Sequence, residues 1–117
     1  MPHFIRMKVA GVALDPGTNA PIVILKDLQE NLMLPIWIGL MEANAIAAAL
    51  EGISFARPMT HDLFKLLLDE LGAVVEAVRL VDIHENVFFA EIELVQAGRR
   101  HVIDARPSDA FAIALRT

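Results

Sequence analysis

The sequence contains no cysteine among its 117 residues, and it has no excess of basic side chains. Without cysteine, the chain can form no disulfide and offers no thiolate to a metal ion. Lysine and arginine number 10 against 15 acidic residues, which gives a formal net charge of −5. Tight nonspecific binding to nucleic acid needs a basic face, so this balance argues against it but leaves room for a local basic site.

Long uninterrupted apolar runs are also absent, although 56% of the residues are hydrophobic. The most apolar stretch, residues 32–50, contains Pro35, Gly39, Glu42 and Asn44, which is unlike a membrane span. We therefore expect no membrane association, and the lack of a secretory pattern at the N-terminus predicts a cytoplasmic protein. A chain this short cannot bury so much apolar surface alone, so we expect a homo-oligomer.

The order of the hydrophobic segments predicts one α+β domain over residues 1–117. Three strand-like segments precede a helix in each half, and the short turns between strands favour antiparallel hairpins, hence helices packed on a mixed, mainly antiparallel sheet. Residues 42–47 resemble residues 109–114, which suggests an internal duplication of the three-strand-plus-helix unit. Pro35 predicts an edge strand or a bulge. The predicted strands cover residues 4–14, 21–25, 32–38, 74–81, 87–94 and 100–104, and the predicted helices cover residues 40–50, 61–71 and 109–116.

Two arginine-proline pairs, Arg57-Pro58 and Arg106-Pro107, each precede a helix start that carries a hydroxyl and an aspartate. Thr60 and Ser108 are predicted to cap these two helices, and the arginine before each proline should be extended. A forked guanidinium beside free N–H groups suits phosphate, which makes Arg57, Arg106, Thr60 and Ser108 candidate phosphate ligands. The alternative is an internal lock between each arginine and a nearby aspartate. Two such motifs in one chain raise the case for the anion site.

One histidine and four carboxylates are the candidates for acid–base chemistry. His61 has the ordinary pKa nearest neutrality, so it can serve as a general acid or base. Asp104 follows the apolar run at residues 101–103 and is predicted to end a buried strand, where it can orient His61 or hold a cation. Glu42, Asp62 and Asp109 lie in or near predicted first turns, where the alternative role is stabilisation of the helix dipole.

Two further features have both a functional and a structural interpretation. His61-Asp62 resembles the metal-binding dipeptide of HD-type phosphohydrolases, but a divalent cation needs more ligands than these two. A divalent cation such as Mg²⁺ or Mn²⁺ is therefore an expectation without assigned ligands. Trp37, Phe88 and Phe89 can stack on a nucleobase, but packing in the core is the commoner role of aromatic residues in strands this apolar.

Several motifs occur in a fixed order from about Val9 to the last residue. They are residues 34–39, the Glu42-Ala43 and Ala45-Ile46 pairs, residues 57–63, Leu71-Gly72, Phe89-Ala90 and residues 104–110. Together they resemble the bifunctional nuclease domain family. The resemblance implies an enzyme that cleaves both DNA and RNA, with nucleic acid as its substrate, and it carries the residues named above over as candidates only. The competing hypothesis is a non-enzymatic oligomeric module that binds an anionic ligand or a protein partner, which the acidic charge favours.

Overall fold

The computed structural model of the protein describes residues 3–117, which fold into six strands and three helices. The strand and helix prediction is confirmed in order and number, and most boundaries shift by only a few residues. The first strand begins at Met7 rather than at Phe4. The elements are β1 (Met7–Leu14), β2 (Pro21–Asp27), β3 (Met33–Trp37), α1 (Leu40–Leu50), α2 (Thr60–Glu70), β4 (Ala73–His84), β5 (Val87–Gln96), β6 (Arg99–Ala105) and α3 (Pro107–Ala114).

The strands form two separate three-stranded sheets, with the orders β1-β2-β3 and β4-β5-β6. Every pairing is antiparallel, as the short turns between consecutive strands require. The α+β prediction is therefore confirmed, with two sheets in place of one. None of the helices in residues 3–117 has the length and apolar character that crossing a membrane demands.

The two sheets repeat the same plan, which supports the expected internal duplication. Strands β1 and β4, β2 and β5, and β3 and β6 begin 66 positions apart, and helices α1 and α3 begin 67 positions apart. A bulge interrupts β1 between Val9 and Gly11, and the corresponding bulge interrupts β4 between Val75 and Ala77. Helix α2 is the additional element between the two units.

Helix α3 packs against both halves of the core and so lies between the two sheets. Phe111 and Ala112 belong to the buried cluster of the first sheet, together with Ile46 of α1. Ala110 and Ile113 belong to the cluster of the second sheet, together with Leu68 of α2. Four consecutive buried positions on one short helix explain its mixture of small and large apolar residues. This packing fixes the N-terminus of α3 at the junction of the two halves.

The predicted hydroxyl caps are wrong for both helices. Helix α3 begins at Pro107, so Arg106 is its N-cap, with the extended backbone expected before proline, and Ser108 is already inside the first turn. Helix α2 begins at Thr60 after the N-cap Met59, and the Asp62 carboxylate accepts the Met59 backbone N–H at 3.0 Å. Proline at the first helical position sets the start of α3, and the acidic third residue sets the start of α2. Ser108 and Thr60 lie inside the first turns, where a side chain cannot act as N-cap.

The last strand is not buried, in contrast to the prediction from its apolar run. β6 is the outer strand of its sheet and pairs with β5 alone among the described strands. Val102 is 57% exposed, and Asp104 is exposed as well. The run of apolar residues predicts a strand correctly, but whether an edge is covered depends on the packing of distant elements.

Candidate active site

Each of the three helices carries a carboxylate at its third residue. These residues are Glu42 in α1, Asp62 in α2 and Asp109 in α3, and all lie in the first turn, where the helix dipole stabilises negative charge. The first turns of all three helices contribute to one continuous set of polar contacts.

A chain of hydrogen bonds joins four candidate residues, and we call it the four-residue cluster: His61, Asp109, Arg106 and Glu42. His61 Nε2 lies 2.9 Å from Asp109 Oδ1. Arg106 donates to the same carboxylate through Nε at 2.9 Å and Nη2 at 3.2 Å, which is the bidentate geometry that arginine favours. Arg106 Nη1 donates to Glu42 Oε1 at 3.1 Å. The cluster thereby connects residues 48 and 64 positions apart in the sequence.

The charges within the cluster determine which atoms carry protons. Burial acts to raise the pKa of Asp109, but the hydrogen bonds from Arg106 and His61 outweigh it, so the pKa lies below its ordinary value. Asp109, followed by Glu42, raises the pKa of the Arg106 guanidinium. An ionised Asp109 can only accept hydrogen bonds, so His61 Nε2 donates its hydrogen to this carboxylate.

Arg106 and His61 differ in exposure. The side chain of Arg106 is 63% exposed even though three of its N–H groups are paired. The side chain of His61 is 18% exposed, so it is largely buried but still in contact with water. Arg106 therefore forms an internal lock with Asp109, the alternative that the sequence left open, while its side chain stays largely exposed and its phosphate-binding role stays a prediction.

The position of Glu42 depends on Gly39, the N-cap of α1. A Cβ atom at residue 39 would lie 2.2 Å from Glu42 Oε2, which is far below van der Waals contact. The Glu42 side chain thus folds back over the glycine and reaches Arg106 from there. The sequence signal is the glycine directly before the predicted helix at residues 40–50, whose first turn carries an acidic residue.

Asp62 belongs to a second, separate pair with Arg116, a residue the sequence analysis did not identify. Arg116 Nε donates to Asp62 Oδ1 at 2.6 Å, and its other donors reach the carbonyl oxygens of Ala112 and Ala45. Its side chain is only 9% exposed. The Arg116 hydrogen bond and the Met59 backbone N–H lower the pKa of Asp62. Arg116 therefore ties all three helices together, which is the internal lock predicted for other arginines.

Besides Asp62, four candidate residues lie outside the four-residue cluster. Asp104 pairs with Glu91 of β5, whose neighbours Ala90 and Ile92 are buried in the core. Since successive side chains alternate between faces, Glu91 and its partner Asp104 lie on the outer face of the second sheet. The carboxylate that orients His61 is that of Asp109, not that of Asp104. Arg57 is exposed in the connection between α1 and α2, Thr60 is exposed at the start of α2, and Ser108 is buried in the first turn of α3.

An open groove of about 510 Å³ adjoins the cluster. Glu42, Arg106 and Ser108 line its polar part, and Trp37 and Phe88 line its apolar part. Trp37 is 56% exposed, so the expectation that it packs in the core is wrong. Phe89 is exposed too, whereas Phe88 is packed partly against the core. Trp37 lies on β3, an outer strand of its sheet, in agreement with the edge position that Pro35 predicts.

A cation site is not assembled by the described side chains alone. Within residues 3–117, no group of three histidine or acidic side chains is arranged to hold a metal ion. Mg²⁺ is often held by one or two carboxylates together with substrate phosphates. Glu42 and Asp109 fit that description by residue type, and a requirement for Mg²⁺ or Mn²⁺ stays a prediction.

Comparison with known proteins gives a consistent result over most of the chain. The model of a family described as the bifunctional nuclease domain matches residues 23–117. An uncharacterized protein of Mycobacterium tuberculosis strain H37Rv is 40% identical over 110 residues, which is 94% of this chain and 65% of that protein. Bifunctional nuclease 2 of Arabidopsis thaliana is 32% identical over 84% of this chain and 31% of its own length. Bifunctional nuclease 1 of the same plant is 32% identical over 87% of this chain and 32% of its own length. The chain thus spans just under two thirds of the mycobacterial relative and about a third of the plant relatives.

Proposed function

Because the chain belongs to the bifunctional nuclease domain family, we propose that it hydrolyses phosphodiester bonds in DNA and RNA. The observation that carries the proposal is the four-residue cluster, in which a histidine oriented by a carboxylate lies beside a partly exposed arginine. Hydrolysis of a phosphodiester needs a base, a group that orients the base and a positively charged side chain that stabilises the phosphate.

Each residue of the cluster has a distinct role in this mechanism. His61 Nδ1 takes a proton from a water molecule while the water oxygen forms a bond to phosphorus. The bond from phosphorus to the leaving oxygen breaks, that oxygen takes a proton from a solvent water, and the imidazolium returns its own proton to solvent. Asp109 accepts the Nε2–H and stabilises the imidazolium that forms. Arg106 stabilises the charge that develops on the phosphate oxygens, since its guanidinium is fixed by Asp109 and Glu42 before the substrate arrives.

A non-enzymatic module that binds an anionic ligand or a protein partner is the second candidate. The observation that favours it is the pairing of Arg106, three of whose N–H groups already donate to carboxylates. In that case the cluster serves to fix the three helix starts, and its loss lowers stability without any loss of catalysis.

The experiment that tests the proposal is cleavage of labelled single-stranded DNA and RNA by the purified chain, in parallel with Mg²⁺, with Mn²⁺ and with EDTA. The wild type should cleave both substrates, and His61→Asn should cleave each at least a hundredfold more slowly, as expected for loss of a general base. His84→Asn is the matched control, because His84 is an exposed histidine in the β4–β5 turn region. Equal rates for the two variants would reveal a contaminating nuclease and reject the proposal.

A further inference from the structure

The groove beside Arg106 contains an aromatic surface that the four-residue cluster does not use. Trp37 is the single tryptophan of the chain, and its Nε1–H donates to Asp15 Oδ2 at 3.0 Å. This hydrogen bond fixes the edge of the indole while more than half of the side chain stays exposed. A rigid, exposed ring loses little conformational freedom when a ligand stacks on it.

Both sheets contribute apolar side chains to this groove. Trp37 comes from β3 of the first sheet, and Ile83 and Phe88 come from β4 and β5 of the second. The volume of about 510 Å³ lies in the range of small-molecule sites and accommodates one nucleotide. Arg106 lines the same groove, so an apolar surface and a positively charged residue are available to one ligand.

The charges around Arg106 determine how such a ligand is held. Glu42 and Asp109 flank the guanidinium and offset part of its attraction for phosphate. The chain also has a net charge of −5, so contacts with the phosphate backbone alone give weak binding. Stacking of a base on an aromatic ring does not depend on charge and is tolerant of sequence, but it requires a base that is out of the duplex.

We propose that this groove binds one unpaired nucleobase of a single-stranded nucleic acid, with the base stacked on Trp37 and its phosphate at Arg106. The inference rests on the proposed nuclease function, because it names the form of nucleic acid that the same site accepts. Single-stranded DNA and RNA share this chemistry, so one groove serves both.

The fluorescence of Trp37 reports on the groove directly, since no other tryptophan contributes. Titration of the full chain with a short oligothymidylate should quench the emission, and an abasic phosphodiester strand of the same length should not. With a labelled oligothymidylate, fluorescence polarisation should show about tenfold weaker binding for Trp37→Ala, and Trp37→Phe should restore most of the affinity. Phe89→Ala is the matched control, because Phe89 is an exposed aromatic outside the groove lining. The affinity should depend weakly on salt, with a slope of about −0.7 for one phosphate contact.

Several results would overturn the inference. They are equal quenching by the abasic strand, unchanged binding by Trp37→Ala, or Trp37 emission that responds to protein concentration and ignores the oligonucleotide. The last result would assign the groove to a second copy of the chain. Failure of the groove inference can be distinguished from failure of the nuclease proposal. If Trp37→Ala cleaves as fast as the wild type, only the inference about the groove is rejected. If oligothymidylate quenches the emission but the protein cleaves nothing, only the nuclease proposal is rejected.

Discussion

At the scale of single residues, two arginines show how the same side chain takes different roles according to its surroundings. Arg116 is buried and donates to Asp62 and to two backbone carbonyls, so its three hydrogen bonds reach all three helices. Arg106 makes as many contacts but is mostly exposed. Exposed ion pairs contribute little to stability, which leaves Arg106 available for a ligand at small cost to the fold.

Replacement of Arg116 by alanine should destabilise the protein by about 2–4 kcal/mol, because it leaves a carboxylate and two carbonyl oxygens without their donor. The free energy of unfolding from urea titration measures this change. Arg57→Ala is the matched control and should change it by less than about 0.5 kcal/mol, since Arg57 is exposed. Similar values for the two variants would show that Arg116 is not the lock between the helices.

Acid should destabilise the fold through Asp62 and Asp109, whose pKa values are both lowered in the folded state. A carboxyl with a lowered folded pKa stabilises the protein above its unfolded pKa near 4, and this stabilisation is lost as the pH falls through the folded pKa. Urea titrations between pH 6 and pH 3 should therefore show a steep loss below about pH 4. Asp62→Asn should be less stable near neutrality and lose less over this range, and Asp104→Asn should follow the wild type. An unchanged pH profile in Asp62→Asn would contradict this explanation.

At the scale of secondary-structure elements, the site is a property of three helix starts rather than of one motif. Each start supplies a carboxylate at the third position, and the N-cap residue of each helix differs. Gly39 leaves room for Glu42, Met59 offers its N–H to Asp62, and Arg106 reaches both Asp109 and Glu42.

Substitution of Gly39 by alanine should displace the Glu42 carboxylate and break its bond to Arg106. The obstructing atom is the end of a flexible side chain, so we expect a loss of stability below about 1 kcal/mol but a several-fold loss of cleavage rate. Glu42→Gln should lose a similar factor. The double variant should be no slower than either single one, because both act on the same contact. If the rate losses of the two single variants multiply in the double variant, Gly39 affects cleavage independently of Glu42.

The sequence predicted the elements well and their surroundings less well. Helix α1 has the predicted bounds because helix-forming residues lie between Gly39 and Gly52. The prediction that β6 is buried was wrong, because apolar residues alone do not reveal which strand forms an edge. All four members of the four-residue cluster were candidates, but the sequence did not show that they meet. Asp62 and Arg116, the separate pair, are 54 positions apart, and no local spacing indicates it. The exposure of Trp37 likewise depends on how the two sheets meet.

At the scale of the whole molecule, a large amount of apolar surface lies outside the core. Leu66, Leu67 and Leu71 of the α2 region are exposed, as are Val102 and Ile103 of β6. Leu71, Val102 and Ile103 line one open groove of about 540 Å³. Patches of this kind mark interaction surfaces, so the expectation of a homo-oligomer acquires a specific location.

We expect a dimer or larger assembly at micromolar concentration, measured by light scattering. Leu71→Glu should shift the protein towards the monomer, because a charge cannot be buried in an apolar contact without a partner. Leu28→Glu is the matched control, since Leu28 is equally exposed but lies in the turn between β2 and β3. A wild-type monomer at this concentration would contradict the expectation.

The most direct test of the catalytic assignment is a combined measurement of cleavage rate and stability for Arg106→Lys. Lysine keeps the positive charge but loses the fork that contacts Asp109 and Glu42 together. If the four-residue cluster acts on phosphate, the free energy of unfolding should fall by less than about 1 kcal/mol. The cleavage rate per folded molecule should then fall at least tenfold, a change that corresponds to about 1.4 kcal/mol of transition-state stabilisation. A large loss of stability with an unchanged rate per folded molecule would contradict the account.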